Sequence, residues 1–339
     1  MASSSPGLQT TGQQFGRAAN LFLVSDSQTL DLSNLRFKFK TTANDVETPN
    51  LAQVRVYNLS EQTKQSAITE YQSVIINAGY QGNVGTIFKG TIKQFKVGKE
   101  SNVDSFLDIY AADTDLPYNF GTISAHLQKG YTGTGQLSAI ANALGTPLQS
   151  QANSILEQNG GIIPSPRGKV MFGMVRSYAR DLANTYNCRW SLQNGVLTMI
   201  PLEGYLPGTA VKLNSATGLI GVPEATDQGI QVQALLNPRF SVGGQVQLNN
   251  KDITATILKQ QFFPGLGDIS LVATVAGQTE NEQLQTSPVN STTDGFYRIL
   301  VIEHEGDTRG QAWYSNLTCL NINSGTSADD SVLPYGIPQ

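Results

Sequence analysis

The chain has 339 residues and a formal net charge of −4, with 39% hydrophobic and only 14% charged residues. Soluble domains average about 25% charged; here Ser, Thr, Asn, Gln and 33 glycines take up the difference, a surface that neighbours in an assembly can cover without desolvating ions. The lack of a basic excess excludes tight, sequence-specific nucleic-acid binding, and two distant cysteines, Cys188 and Cys319, with no CxxC exclude a disulfide framework or a zinc ribbon.

Residues 1–16, MASSSPGLQTTGQQFG, have neither a basic n-region nor an apolar h-region and read as a flexible arm, not a signal peptide. No apolar run approaches the roughly 18 residues of a bilayer span, so no membrane insertion is expected. A β-rich block follows over 17–113. LRFKFK alternates, with Leu35, Phe37 and Phe39 on one face and Arg36, Lys38 and Lys40 on the other, which predicts a half-buried strand. AQVRVYNL repeats the pattern, with Val54 and Val56 against Arg55 and Tyr57. Ser60 is placed to cap a short helix with Glu61 in its first turn. SVIINAGYQG predicts a strand entering a glycine turn. GTIFKGTIKQFKVGKESNVDSFLDIYAAD predicts two strands or one long bent one, a turn and a further strand, ending near Asp113. Strands this closely spaced suggest a small barrel or sandwich.

The middle block, 114–201, reads as a small α/β unit. TGQLSAIANALG sets Leu137, Ile140, Ala141 and Leu144 at helical spacing, with Thr134 as cap and Gly145 as stop. MFGMVRSYARDLANTYNCRW puts Met171, Val175, Tyr178, Leu182 and Tyr186 on one helical face. CRWSLQNGVLTMIP is a hairpin, because Asn194-Gly195 supplies the two positive-φ positions of its turn. The stretch between the helices, GTPLQSQANSILEQNGGIIPSPRGK, reads mostly as loop. The third block, 202–324, is β-rich again. VKLNSATGLIGVPEAT, GIQVQALLNPRFSVGGQVQLNN and DITATILKQ are short strands, followed by a long polar loop. FYRILVIEHEGDTRGQAWYSNLTCLNI forms two strands around GDTRG. Residues 325–339 read as a loose tail or docking arm.

The stretch HEGDTRGQAWYSNLTC concentrates reactive side chains. Along its strand His304 falls on the opposite face from Glu303 and Glu305, and the other histidine, His126, lies in a different block, so no metal site is expected. Glu303 and Glu305, at i and i+2, would stand about 7 Å apart, within the span of an inverting glycosidase pair; this leaves a hydrolase as an alternative. GDTRG reads more readily as architecture. Gly306 and Gly310 permit a tight turn, Asp307 can accept its backbone amides, and Arg309 offers a fork for a carboxylate or carbonyls. Trp313 and Tyr314 supply amphipathic bulk for a core edge or an interface. GTGQLS lacks the lysine of a phosphate loop, no nucleophile elbow is present, and both cysteines sit in apolar patterns as small core residues. The Arg36, Lys38 and Lys40 row is either a solvated face or a contact for an acidic neighbour. No catalytic, cofactor-binding or metal residues are assigned.

Taken together, FYRILVIEHEGDTRGQAWYSNLTC, VRVYNLS…INAGYQGNVGTIFKGTIKQF and YARDLANTYNCRWSLQNGVLTMIP resemble the baseplate hub proteins of tailed bacteriophages, over about Asn20 to Leu320. The resemblance implies a mostly β, α+β chain with two tail-tube-like β-barrel domains, at 17–113 and 202–324, flanking the α/β unit. It implies a homotrimeric ring around the DNA channel that adapts the six-fold tail tube to the three-fold central spike. Its partners would be a tail tube or tube-initiator protein, the spike, wedge proteins and the tape measure. No cofactor is implied. The expected location is the virion tail or baseplate, assembled in the bacterial host cytoplasm, and a contractile tail is expected. The hub of a contractile injection or secretion system, built from the same parts, is a further alternative. Some related hubs carry lytic domains, and none is visible here.

Overall fold

The computed structural model describes residues 15–202, 204–226, 229–248, 254–255 and 295–321. All but the end of the expected arm, most of DITATILKQ, the long polar loop after it and the tail over 325–339 lie outside the described residues. The fold is mostly β with helices.

Alternation decides the first block. It contains β1 (Arg17–Val24), β2 (Thr29–Asp31), β3 (Phe37–Asn44), β4 (Leu51–Tyr57), α1 (Glu61–Glu70), β5 (Ser73–Tyr80), β6 (Asn83–Lys99) and β7 (Ser105–Ala112). Phe37 and Phe39 of β3 are buried against Val54 and Val56 of β4, while Lys38 and Lys40 face outward. Ser60 caps α1 as expected, its Oγ accepting from the Thr63 amide at 3.1 Å. The long lysine-rich segment is a single bent strand, β6. A register shift between Ile92 and Gln94 lets its first half pair with β5 and its second half with β7.

The middle block contains α2 (Asp115–Phe120), β8 (Thr122–Leu127), α3 (Gly133–Leu144), α4 (Ala152–Gln158), β9 (Lys169–Met174), α5 (Val175–Thr185), β10 (Cys188–Gln193) and β11 (Val196–Pro201). Three expectations are corrected here. The α3 cap is Thr132, not Thr134: its Oγ1 accepts from the Gly135 amide at 3.2 Å. Gly133 allows this earlier start, because a Cβ there would meet the Tyr186 ring at 2.6 Å. Met171 is not on the helix with Val175, Tyr178 and Leu182; it lies on β9, and Tyr186 is the residue that ends α5. A strand-to-helix switch at Met174 keeps Met171 and Val175 in one interior, so burial at i and i+4 looks helical across the junction. The expected loop contains α4, which buries Ala152, Ile155 and Leu156. The Asn194-Gly195 hairpin forms as read, with φ of 53° and 84°.

The third block contains β12 (Val211–Leu213), β13 (Leu219–Thr226), β14 (Gly229–Leu235), β15 (Gln245–Leu248), β16 (Thr254–Ala255), β17 (Gly295–Asp307) and β18 (Trp313–Asn321). One sheet of 14 strands runs β16-β13-β14-β18-β17-β3-β4-β7-β6-β5-β1-β2, with β12 and β15 attached at β17. Among the described residues no ladder closes this path into a barrel. β17 is the joint of the sheet. On one side it pairs with β18. On the other, its first residues, 295–298, pair with β15, and its later ones, 301–307, pair with β3. Leu300 falls at the register shift between Ile299 and Val301.

The hydrophobic interior forms two clusters. One lies within the first block and takes in Leu236 and Trp313 from the third. The other joins the helices and hairpin of the middle block to β12, β14, β15, β17 and β18. Cys188 and Cys319 are buried and unpaired with each other; burial pushes the Cys188 thiol up to about 11 and the Cys319 thiol higher still, which fits small core residues rather than nucleophiles.

Candidate functional site

The GDTRG segment forms the turn between β17 and β18, and its amides are satisfied locally. The Asp307 carboxylate accepts from the Arg309 amide at 2.9 Å, the Asp307 carbonyl accepts from Gly310 at 3.3 Å, and the Asp307 amide donates to the Ala312 carbonyl at 2.9 Å. Thr308 ties the turn to β3 by donating its amide to the Phe37 carbonyl at 3.1 Å. A Cβ on Gly310 would meet the Asp307 carboxylate at 2.4 Å, so the turn requires that glycine.

The basic row on β3 meets carboxylates from β17. Arg36 grips Asp307 with two nitrogens, at 2.8 and 3.4 Å, and its guanidinium lies 4.8 Å over the Tyr57 ring. Lys38 stands 3.9 Å from Asp307, and Lys40 3.4 Å from Glu303. Burial pushes the Asp307 carboxyl up, but Arg36, the Arg309 amide and Lys38 outweigh it and hold the group below its ordinary range. Within the chain, this row meets carboxylates of β17. Lys38, Lys40, Arg55, Glu305 and Asp307 border an open hollow of about 420 Å³.

Trp313 and Tyr314 separate in role. Trp313 is 1% exposed, stacks edge-on against Phe39 at 5.6 Å and donates its indole N–H to the Gly79 carbonyl at 3.3 Å. Arg17 covers its ring at 5.6 Å. Tyr314 is half-buried and pairs across the sheet with Leu235 and Glu305. Arg309 is exposed and donates to the Asn34 carbonyl at 3.3 Å.

Glu303 and Glu305 point away from His304, as the alternation requires. Glu303 is held by Lys40, and Glu305 is exposed. His304 is buried; its Nδ1 lies 2.8 Å from the Ser315 hydroxyl, which accepts from the Asn237 amide at 3.3 Å. Desolvation alone pulls the His304 pKa down to about 4. Among the described residues no group of three or more His, Cys, Asp or Glu is placed to hold a metal ion, and no helix is long and apolar enough to cross a membrane.

Sequence reasoning missed the polar links that fasten the middle block to the sheet. Asp45 follows β3 and is fully buried, with Arg298 at 2.8 Å and Arg189 at 3.2 Å. Arg298 also donates to the carbonyls of Pro201 and Leu202 at 2.8 and 3.0 Å. Asp113, after β7, receives the amides of Asn194 and Gly195 from the hairpin turn, the latter at 2.9 Å. Burial pushes its carboxyl up to about 6 despite the hydrogen bonds it accepts. Glu47 receives Arg180 and, at 3.1 Å, the Trp190 indole N–H. All three acids lie just after strands of the first block, and of the partners named here all but Arg298 lie in the middle one.

No protein-family model matches the chain, and no curated protein does either. Among solved structures, the tail protein from Neisseria meningitidis MC58 superposes with a TM-score of 0.50 at 9% identity, covering 90% of this chain and 96% of that one. The 43 kDa tail protein of prophage MuSo2 from Shewanella oneidensis gives 0.49 at 7% identity over 89% and 98% of the two chains. The E. coli c3393 protein, described as a component of the type VI secretion system with structural similarity to T4 bacteriophage tail proteins, gives 0.43 at 11% identity over 84% and 73%. The first of these assigns this chain the fold of a tail protein.

Proposed function

We propose that the chain is a structural, non-enzymatic phage tail protein that acts as a baseplate hub. The observation that carries this reading is the superposition on a tail protein over nearly the whole of both chains. In this reading the strands on either side of the β3–β17 joint are the two tube-like β units, and the middle block is the insert between them. Three subunits, each with two such units, form a ring that presents six units to the tail tube and three subunits to the central spike. A cyclic ring reuses one heterologous interface and closes on itself, and it covers strand edges that a monomer would expose. Wedge proteins and the tape measure are further neighbours, and the location is the virion tail, with assembly in the host cytoplasm. The low charge supports the reading, because little ionic surface has to be desolvated in the assembly. The Asp307 turn, Arg309, Tyr314 and the β3 basic row serve the joint or its interfaces.

The test is native mass spectrometry of the purified chain, alone and with its candidate spike protein. A trimer in either sample, with rings visible by electron microscopy, is expected. A monomer in both, together with clearing of peptidoglycan that Glu303→Gln or Glu305→Gln abolishes, would replace the hub with a tail-tip hydrolase.

A further inference from the structure

The β8–β9 ribbon is a two-stranded antiparallel pair apart from the main sheet. Its inner face sends Ile123 and Met171 into the core. Its outer face leaves Val170 74% and Phe172 78% exposed, and Phe120, two residues before β8, is 72% exposed. Large side chains left in water on one small face mark a contact surface.

The backbone shows which edge is open. The Phe172 amide donates to the Tyr178 hydroxyl at 2.9 Å, and that hydroxyl donates to the Phe172 carbonyl at 3.1 Å. Both Phe172 backbone groups therefore face away from β8. Phe172 is the register partner of Ser124, so in an antiparallel ladder the Ser124 amide and carbonyl face away from β9. Those of Thr122 and His126, two residues to either side, do the same. All three residues are exposed, and no other strand among the described residues pairs with β8. Tyr178 thus blocks the middle of the β9 edge, while the β8 edge carries no strand among the described residues.

The tip of the ribbon is basic. Lys129, Arg167 and Lys169 flank its open end, where the Gly130 amide donates to the Ser165 carbonyl at 2.9 Å and Lys169 pairs with Leu127. None of the three has a carboxylate partner among the described residues. From Leu116 to Arg180 the sequence has a single acidic residue, Glu157, in a chain that is acidic overall.

We propose that the β8 edge binds an extended acidic segment of a partner protein as a third strand. Its backbone pairs with Thr122, Ser124 and His126. Its outward side chains, at alternate positions, stand beside Thr122, Ser124 and His126, about two strand spacings from β9; a long apolar one crosses the small Ser124 to reach Phe172, and its carboxylates meet Lys129, Arg167 and Lys169. Strand addition of this kind draws affinity from main-chain hydrogen bonds and selectivity from alternate side chains. An anionic lipid surface would satisfy the apolar and basic groups but leave the row of outward amides and carbonyls unpaired, which favours the peptide. The inference stands independently of the hub reading.

The test uses the full chain and a labelled synthetic peptide that alternates leucine with glutamate, followed by fluorescence anisotropy and by amide hydrogen exchange. The peptide should bind and slow exchange at Ser124 and His126. The same peptide with lysine for glutamate, or with a central proline, should bind roughly tenfold more weakly or worse. Phe172→Glu and Arg167→Glu should each weaken binding of the original peptide by a similar factor while leaving the melting temperature unchanged. Arg167 is exposed in a loop, so its variant keeps the test valid if Phe172→Glu fails to fold. Equal binding of the lysine peptide, protection that spares β8, self-association of the chain through Phe172, or binding to phosphatidylglycerol vesicles in place of the peptide would each overturn the proposal.

Discussion

Asp45 and Arg298 lie 253 positions apart, yet their side chains meet at 2.8 Å with 0% and 3% of their surface exposed. Arg189 reaches the same carboxylate from β10, so one buried acid holds the end of β3, the hairpin of the middle block and the start of β17. Burial pulls the Arg298 guanidinium down, and Asp45 offsets part of that shift. The pair is expected to specify how the blocks dock more than to add net stability, since a buried ion pair often gains little over an apolar replacement.

Removing one partner is a different matter. Asp45→Ala strips two buried guanidinium groups of their shared counter-charge and is expected to cost about 3–5 kcal/mol. Guanidinium denaturation measures this directly. A loss below about 1 kcal/mol would mean that water or rearrangement satisfies both arginines.

Trp313→Ala should destabilise the chain by about 3–5 kcal/mol, the usual cost of emptying a large aromatic site in a core. Trp313→Phe keeps the contact with Phe39 but loses the bond to Gly79, and should recover most of that. Thermal melts of both variants decide the matter; equal losses would place the stabilisation in the hydrogen bond alone.

Arg309→Ala and Lys40→Ala remove exposed groups that make a single carbonyl contact and a 3.4 Å surface pair, respectively. Each should change stability by no more than about 1 kcal/mol. If these residues serve an interface, native mass spectrometry will show a lost or weakened oligomer from a chain that melts normally. Unchanged oligomer mass in both would remove them from the interface.

Two buried groups give the pH profile opposite slopes. His304 has a folded pKa of about 4, below its ordinary value, so its contribution is complete above about pH 6.5 and is lost as pH falls toward 4. Asp113 has a folded pKa of about 6, above its ordinary value, so its contribution is complete below about 3.8 and is lost as pH rises through 6. The two nearly share a window and oppose each other. His304→Gln should leave stability falling as pH rises from 4 to 6, and Asp113→Asn should leave it rising. Denaturation midpoints across that range test both slopes; parallel profiles would show that neither group titrates as its surroundings imply.

Local chemistry made much of the first block, and the hairpin of the middle one, readable. Phe37 and Phe39 alternate with Lys38 and Lys40, Ser60 is followed by an acid, and Asn194-Gly195 needs only its own two φ angles. What escaped depends on distant partners. Past Arg17, β1 has no charged residue, and β8 has none, to make their alternation sharp, and α4 is too short for its Ala152, Ile155 and Leu156 pattern to stand out. The cap at Thr132 depends on the ring of Tyr186. At the candidate site, the GDTRG turn could be read because its bonds are local, while its pairing with Arg36 joins residues 271 positions apart. Asp45, Glu47 and Asp113 look like ordinary turn acids in sequence. Only the register of β3, β7 and β17 brings them under the middle block. The GDTRG turn announces the pairing of β17 with β18, but nothing local announces β15 or β3, because both pairings join segments far apart in the chain.

The pairing of β3 with β17 joins residues near position 40 to residues near position 305. A chain emerging from the ribosome N-terminus first completes β3 long before its partner exists. Through most of synthesis the edge of β3, with Phe37 and Phe39 beside it, stands unpaired, and an open strand edge is a template for the wrong neighbour. Arg36, Lys38 and Lys40 sit on that edge, still without the carboxylates that later meet them. Three like charges in a row disfavour the pairing of two such edges, so the residues that fasten the finished joint also make the unfinished one a poor template.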